Sequence, residues 1–225
     1  TLGDVLDVVL VGAVVIEAPK AFGKTITAQQ AAGSVLRVDV DPEARLLSTA
    51  PDLVLGGDTP RLLDEWQVQP ELWNHVRRAV DERQQSGQFI LTGSAMPADD
   101  ATRHSGAGRF SRLRMRPFTT LELGYSDGSV SLAELGKGSS PIPSPPSKMT
   151  FTEVVDSLCV GGWPVNLDKS VPDGMANVRE YLDEISRVDI ATYETGQKPR
   201  DPERIAAVIR SISRSVGSAV KATTI

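Results

Sequence analysis

The sequence predicts an α/β fold, a mostly parallel sheet flanked by helices and followed by a smaller helical region. Three observations predict it. The run Val8 to Ile16 is β-branched and nearly all apolar, as a strand buried on both faces is. Strand-like and helix-like segments then alternate as far as Arg116, the order that builds parallel sheets. Beyond a Gly/Ser/Pro-rich stretch, helical periodicity replaces strand signals.

The elements follow in order. After the first strand, Lys24 to Ala32 reads as a helix closed by Gly33. Val35 to Val40 alternates and is β-rich, a second strand. Pro42 to Ala50 reads as a short helix capped by Asp41. Arg61 to Asp64 is a third, short strand. Pro70 to Gln85 is a strong amphipathic helix, with Leu72, Val76, Ala79 and Val80 on one face and Arg77, Arg78, Asp81 and Glu82 on the other. Gln88 to Thr92 is a fourth strand, and Phe110 to Arg116 a fifth, reached through a polar loop from Pro97 to Gly108. Helices are expected at Thr152 to Cys159, Asn177 to Tyr193 and Pro202 to Val220. The expected domains are therefore 1–137, a linker at 138–149, and a helical region at 150–225.

Composition is that of a globular chain, with 225 residues, 40% hydrophobic and 24% charged. The net charge of -5 and pI near 5.1 demand no nucleic-acid or membrane partner. No apolar run reaches the roughly 20 residues of a membrane span. One cysteine, Cys159, permits no internal disulfide, and no Cys/His cluster has zinc-like spacing. A cytoplasmic location is expected.

The stretch Ala18-Pro19-Lys20-Ala21-Phe22-Gly23-Lys24-Thr25 matches the second half of the P-loop pattern. Ala18 replaces the first glycine. Gly23 lets the backbone approach phosphates, whose charge meets amides at the start of a helix, including that of Ile26. Lys24 supplies a point charge to the β- and γ-phosphates, and the Thr25 hydroxyl ligates Mg²⁺. A strand runs into the motif and a helix starts at it, the context it requires. The fold expected is thus a P-loop NTPase. If position 18 needs a positive φ, Ala18 strains the loop.

Asp64 and Glu65 follow the third strand, where an Asp holds Mg²⁺ and a Glu polarises water. The bland alternative is that they cap the next helix or face solvent. Thr92 and Ser94, after the fourth strand, place hydroxyls for a sensor role beside the γ-phosphate, or simply form a turn on Gly93. In Arg109 to Arg116, alternation puts Arg112, Arg114 and Arg116 on one face and Leu113 and Met115 on the other. Arg103, Arg109 and Arg112 are finger candidates, in this subunit or a neighbouring one. The same row suits a nucleic-acid backbone, or acidic side chains of the same chain. His75 and His104 read as structural or solvent-facing, Trp66, Trp73 and Trp163 as packing anchors, and Cys159 as an inert core thiol.

Together, Gly23-Lys24-Thr25, Leu63-Asp64-Glu65-Trp66-Gln67, Pro70-Glu71-Leu72-Trp73, Phe89 to Ser94, Arg112 to Phe118 and Cys159 to Pro164 form an ordered set. The set resembles the bacterial and archaeal AAA+-type ATP-binding proteins that carry a C-terminal domain of unknown function. The resemblance implies that Lys24 and Thr25 bind phosphate and Mg²⁺, and that Asp64 and Glu65 form the metal-and-water site. Family members are generally longer, which implies that 150–225 is the truncated start of a second domain. The function expected is Mg-dependent ATP binding and hydrolysis, with ATP and Mg²⁺ as ligands and a homo-oligomer or protein partner. The alternative is a catalytically weak nucleotide switch or interaction scaffold that contacts nucleic acid through the Arg row.

Overall fold

The structure, a computed structural model, describes residues 11–93, 106–139, 146–147, 149–189 and 201–219. Val8 to Leu10, Ser94, Arg103, His104 and the ends of two expected helices lie outside the described residues. The chain divides into two compact units between Pro117 and Phe118, ahead of the linker expected at 138–149.

The first unit is a parallel sheet of β1 (Ala13–Glu17), β2 (Ser34–Arg37), β3 (Arg61–Asp64), β4 (Phe89–Gly93) and β5 (Phe110–Arg114). The strand order is β2-β3-β4-β1-β5, and every neighbouring pair is parallel. This is the fold class that the alternation of segments predicts. Helix α1 (Lys24–Ala31) follows β1, α2 (Pro51–Val54) precedes β3, and α3 (Leu72–Arg83) joins β3 to β4. The expected helix over 42–50 is a 3-10 turn, Pro42–Leu46, with α2 beyond it.

Alternation along the strands sorts the core into two layers. Ala13, Val15, Leu63, Phe89 and Leu91 pack with Trp66, Trp73 and Val76 on the face covered by α3. Val14, Ile16, Leu62 and Ile90 pack with Ala28 of α1 on the other, joined by Leu113 and Met115. Both layers are apolar because the central strands are covered on both sides. Asp64 and Thr92 belong, by alternation, to the α1 face, and they are paired across β3 and β4. The sheet thereby delivers two polar side chains to the helix that follows the loop ending at Gly23.

The second unit holds α4 (Leu132–Gly136), α5 (Phe151–Val160), α6 (Val171–Glu184) and α7 (Pro202–Ser213). Helix α5 starts on a capping box between Thr150 and Glu153. Helix α6 starts six residues earlier than its periodicity suggests, at Ser170 as cap with Pro172 in the first turn. Gly174 permits close approach to α5, since a Cβ there would meet Val160 Cγ1 at 2.8 Å. Asn166 ties the two helices together, donating to Val160 O and accepting from Asn177, both at 3.0 Å. One expectation is corrected here. Cys159 is exposed rather than a core thiol, because the apolar stripe Phe151, Val154, Val155 and Leu158 is itself exposed, Phe151 to 84%.

Candidate functional site

The loop between β1 and α1 has two left-handed residues, Ala21 (φ 61°) and Gly23 (φ 79°). Ala18 does not have a positive φ, so the missing glycine costs no backbone strain there. The first bond of the helical ladder runs from Thr27 N–H to Gly23 O at 2.9 Å. The amides of Lys24, Thr25 and Ile26 precede that ladder, at the positive end of the helix. The Ile26 side chain itself points away and is 67% exposed. Pro19, Lys20 and Ala21 are exposed, and Phe22 is buried and anchors the loop.

Lys24 is only 7% exposed. Its Nζ donates to Ala18 O at 3.0 Å and Pro19 O at 2.8 Å, folding the loop around the ammonium. Burial pulls the Lys24 pKa below its ordinary value; the carboxylates of Glu65 and Asp64 oppose that, and Lys20 adds to it. Two carbonyls and nearby carboxylates thus offset part of the cost of burying the ammonium.

Thr25 donates its hydroxyl to Asp64 Oδ1 at 2.9 Å, and Thr92 donates to the same oxygen. Asp64 is 6% exposed and Thr92 fully buried. Residues 39 positions apart meet because β3 and β4 present these side chains toward α1. A Thr hydroxyl and an Asp carboxylate beside a phosphate-type loop are hard oxygen donors, a fit to Mg²⁺. Among the described residues there is no group of three or more His, Cys, Asp or Glu side chains to hold a metal. A metal here would lean on water and phosphate oxygens, as Mg²⁺ does.

Glu65 leaves β3 in the left-handed region, with φ 56° and ψ 39°. Gln67 Nε2 donates to Glu65 Oε2. Gln67 stands in the Leu63-Asp64-Glu65-Trp66-Gln67 motif, which by itself assigns it no contact. Its spacing of two from a carboxylate just past a strand end was the available signal.

The arginines separate. Arg109 precedes β5, whose first residue pairs with Ala13, so it sits at the amino-terminal edge of the sheet. There it donates to Asp81 at 2.8 and 3.3 Å. Within this chain, the length of β1 separates it from the loop. Arg112 lies nearer the loop edge, but by alternation on the α3 face, ion-paired to Glu17 and 5.8 Å over the Trp73 ring. The Arg109–Asp81 and Arg112–Glu17 pairs are the pairing with acidic side chains that the sequence left open. Leu113 and Met115 face the core as alternation predicts.

A parallel α/β sheet with a left-handed loop, a buried lysine and a Thr–Asp pair at its carboxyl edge defines a P-loop domain of the nucleotide-binding class. The AAA domain family model matches residues 11–124, and the chain belongs to that family. Its first unit is therefore an AAA-type, ATPase-like P-loop domain. No curated protein matches the chain. Among the described residues, no helix is long and apolar enough to cross a membrane.

Proposed function

We propose that the chain binds ATP with Mg²⁺ in the Ala18 to Thr25 loop and hydrolyses it. The observation that carries the reading is the Thr25–Asp64 hydrogen bond next to the buried Lys24. Loop amides and the Lys24 ammonium bind the triphosphate, and the ammonium neutralises charge that builds in the transition state. Thr25 and Asp64 hold Mg²⁺, which when bound neutralises phosphate charge. Thr92 fixes the Asp64 carboxylate by its second hydrogen bond. Glu65 orients the attacking water and accepts its proton as the new P–O bond forms and the bond to the leaving diphosphate breaks. Ala18 raises no objection to turnover, because its backbone lies outside the left-handed region.

Arg109 and Arg112 are both ion-paired in this chain, so an arginine finger, from this subunit or a neighbouring one, has to leave its carboxylate or be another arginine. The test is turnover of Mg²⁺-ATP by the full chain. Wild type hydrolyses ATP; Glu65→Gln retains ATP without turning it over. Equal activity in that variant removes Glu65 from the mechanism, and no ATP binding by wild type removes the reading altogether.

A further inference from the structure

We infer that Gln67 is a positioning residue for Glu65: its side-chain amide holds the carboxylate at the mouth of the phosphate loop and sets turnover rather than affinity. The inference rests on the ATPase reading above.

Three observations carry it. Gln67 Nε2 donates to Glu65 Oε2 across the 3-10 turn Trp66–Val68. Glu65 itself adopts a left-handed backbone that a residue other than glycine keeps only when its surroundings enforce it. Such strain clusters where a side chain is aimed for use. Finally, the Gln67 amide is wedged. Its Oε1 is buried with no hydrogen-bond partner, so the amide is not there to satisfy the fold. It lies against the end of β4, where a Cβ on Gly93 would come within 2.1 Å of Oε1 and 3.4 Å of Trp66 Cδ1.

The consequence is directional. Lying against Gly93, the Gln67 side chain has one polar contact among the described residues, and that contact is the Glu65 carboxylate. The held carboxylate belongs to the residue directly after Asp64, whose own carboxylate is bonded to Thr25 at the start of α1. Gly93 is part of the device because any side chain at that position pushes the flexible end of Gln67 away. Without the clamp, Glu65 still neighbours the site but samples other rotamers, and misplacement by about 1 Å costs on the order of a hundredfold in rate.

Two variants test it in the full chain. Gln67→Met keeps length and loses the donor. Gly93→Ala keeps the donor and displaces it. Both are expected to lower kcat for Mg²⁺-ATP at least about tenfold, within the range that misplacement of a reacting group produces, while KM stays unchanged. In the Glu65→Gln background, Gln67→Met is expected to cause no further loss in the residual single-turnover rate, because the group it positions is gone. The carboxyl carbon resonance of Glu65 in the nucleotide-free protein, assigned by its loss in Glu65→Gln, is expected to move in Gln67→Met. An unchanged kcat, an equal loss in both backgrounds, or an unmoved resonance overturns the inference. Wild type without turnover overturns the ATPase reading instead, and the resonance then decides the Gln67 contact by itself.

Discussion

The two edges of the sheet are built from similar residue types and behave differently. At the carboxyl edge Lys24, Asp64 and Thr92 are buried and bonded to one another's surroundings. At the amino edge Asp81 and Arg109 form an ion pair in the open, beside a shallow cleft of about 400 Å³ that also includes Gly12 and Gln84. Arg109 holds the Asp81 carboxyl below its usual range, but solvent screens such a pair. The difference shows that polarity alone does not mark a site. Desolvation does, because charges removed from water act strongly on whatever ligand replaces it.

The largest expected effect breaks the buried edge. Lys24→Ala is expected to weaken ATP binding by about a hundredfold or more, as truncating one partner of a buried charge pair does, measured by calorimetry with Mg²⁺. Its Tm is expected to be at or above that of wild type, because a desolvated ammonium opposes folding. A large fall in Tm would mean that Lys24 serves the fold first.

Next comes pH. With a folded pKa lowered by burial, the charged form of Lys24 costs stability at neutral pH, and the cost fades as pH rises through that folded value. The stability gap between Lys24→Ala and wild type is therefore expected to close as the solution becomes alkaline. ATP affinity is expected to fall over the same climb, starting below the ordinary lysine pKa of 10.5. A gap that widens with pH contradicts the burial argument.

A smaller effect is expected from Thr92→Val, which removes one of two donors to Asp64 Oδ1. The Mg²⁺ dependence of ATP binding is expected to shift to higher concentration by about threefold to tenfold, the net worth of a typical hydrogen bond. Smallest of all, Asp81→Asn at the open edge is expected to leave ATP affinity unchanged and Tm nearly so. A clear loss of nucleotide binding there would erase the contrast between the edges.

Much of this was legible. Arg61 to Asp64 and the start of α1 at Lys24 stand where the sequence puts them, because a short apolar run and glycine punctuation are local signals. The alternation of Arg112 with Leu113 is equally local. What was not legible depends on register and packing. Arg109 and Arg112 look equivalent until pairing with β1 puts one ahead of the strand and the other at its middle, opposite Val15. Helix α6 reads as starting late because Pro172 and Gly174 look like breakers. Pro is tolerated in a first turn, and the glycine is filled by Val160. Cys159 reads as core because the stripe beside it is apolar, and periodicity does not say whether a stripe is covered.

The left-handed turn at Ala21 bears on how such loops are recognised. A filter that demands glycine at the first position rejects this chain, although a Cβ fits at Ala18. The conformational demand sits at Ala21 and Gly23 instead. A search phrased as two left-handed residues ahead of a Lys-Thr pair, with any small residue at the strand exit, would recover chains that a spelled pattern leaves behind.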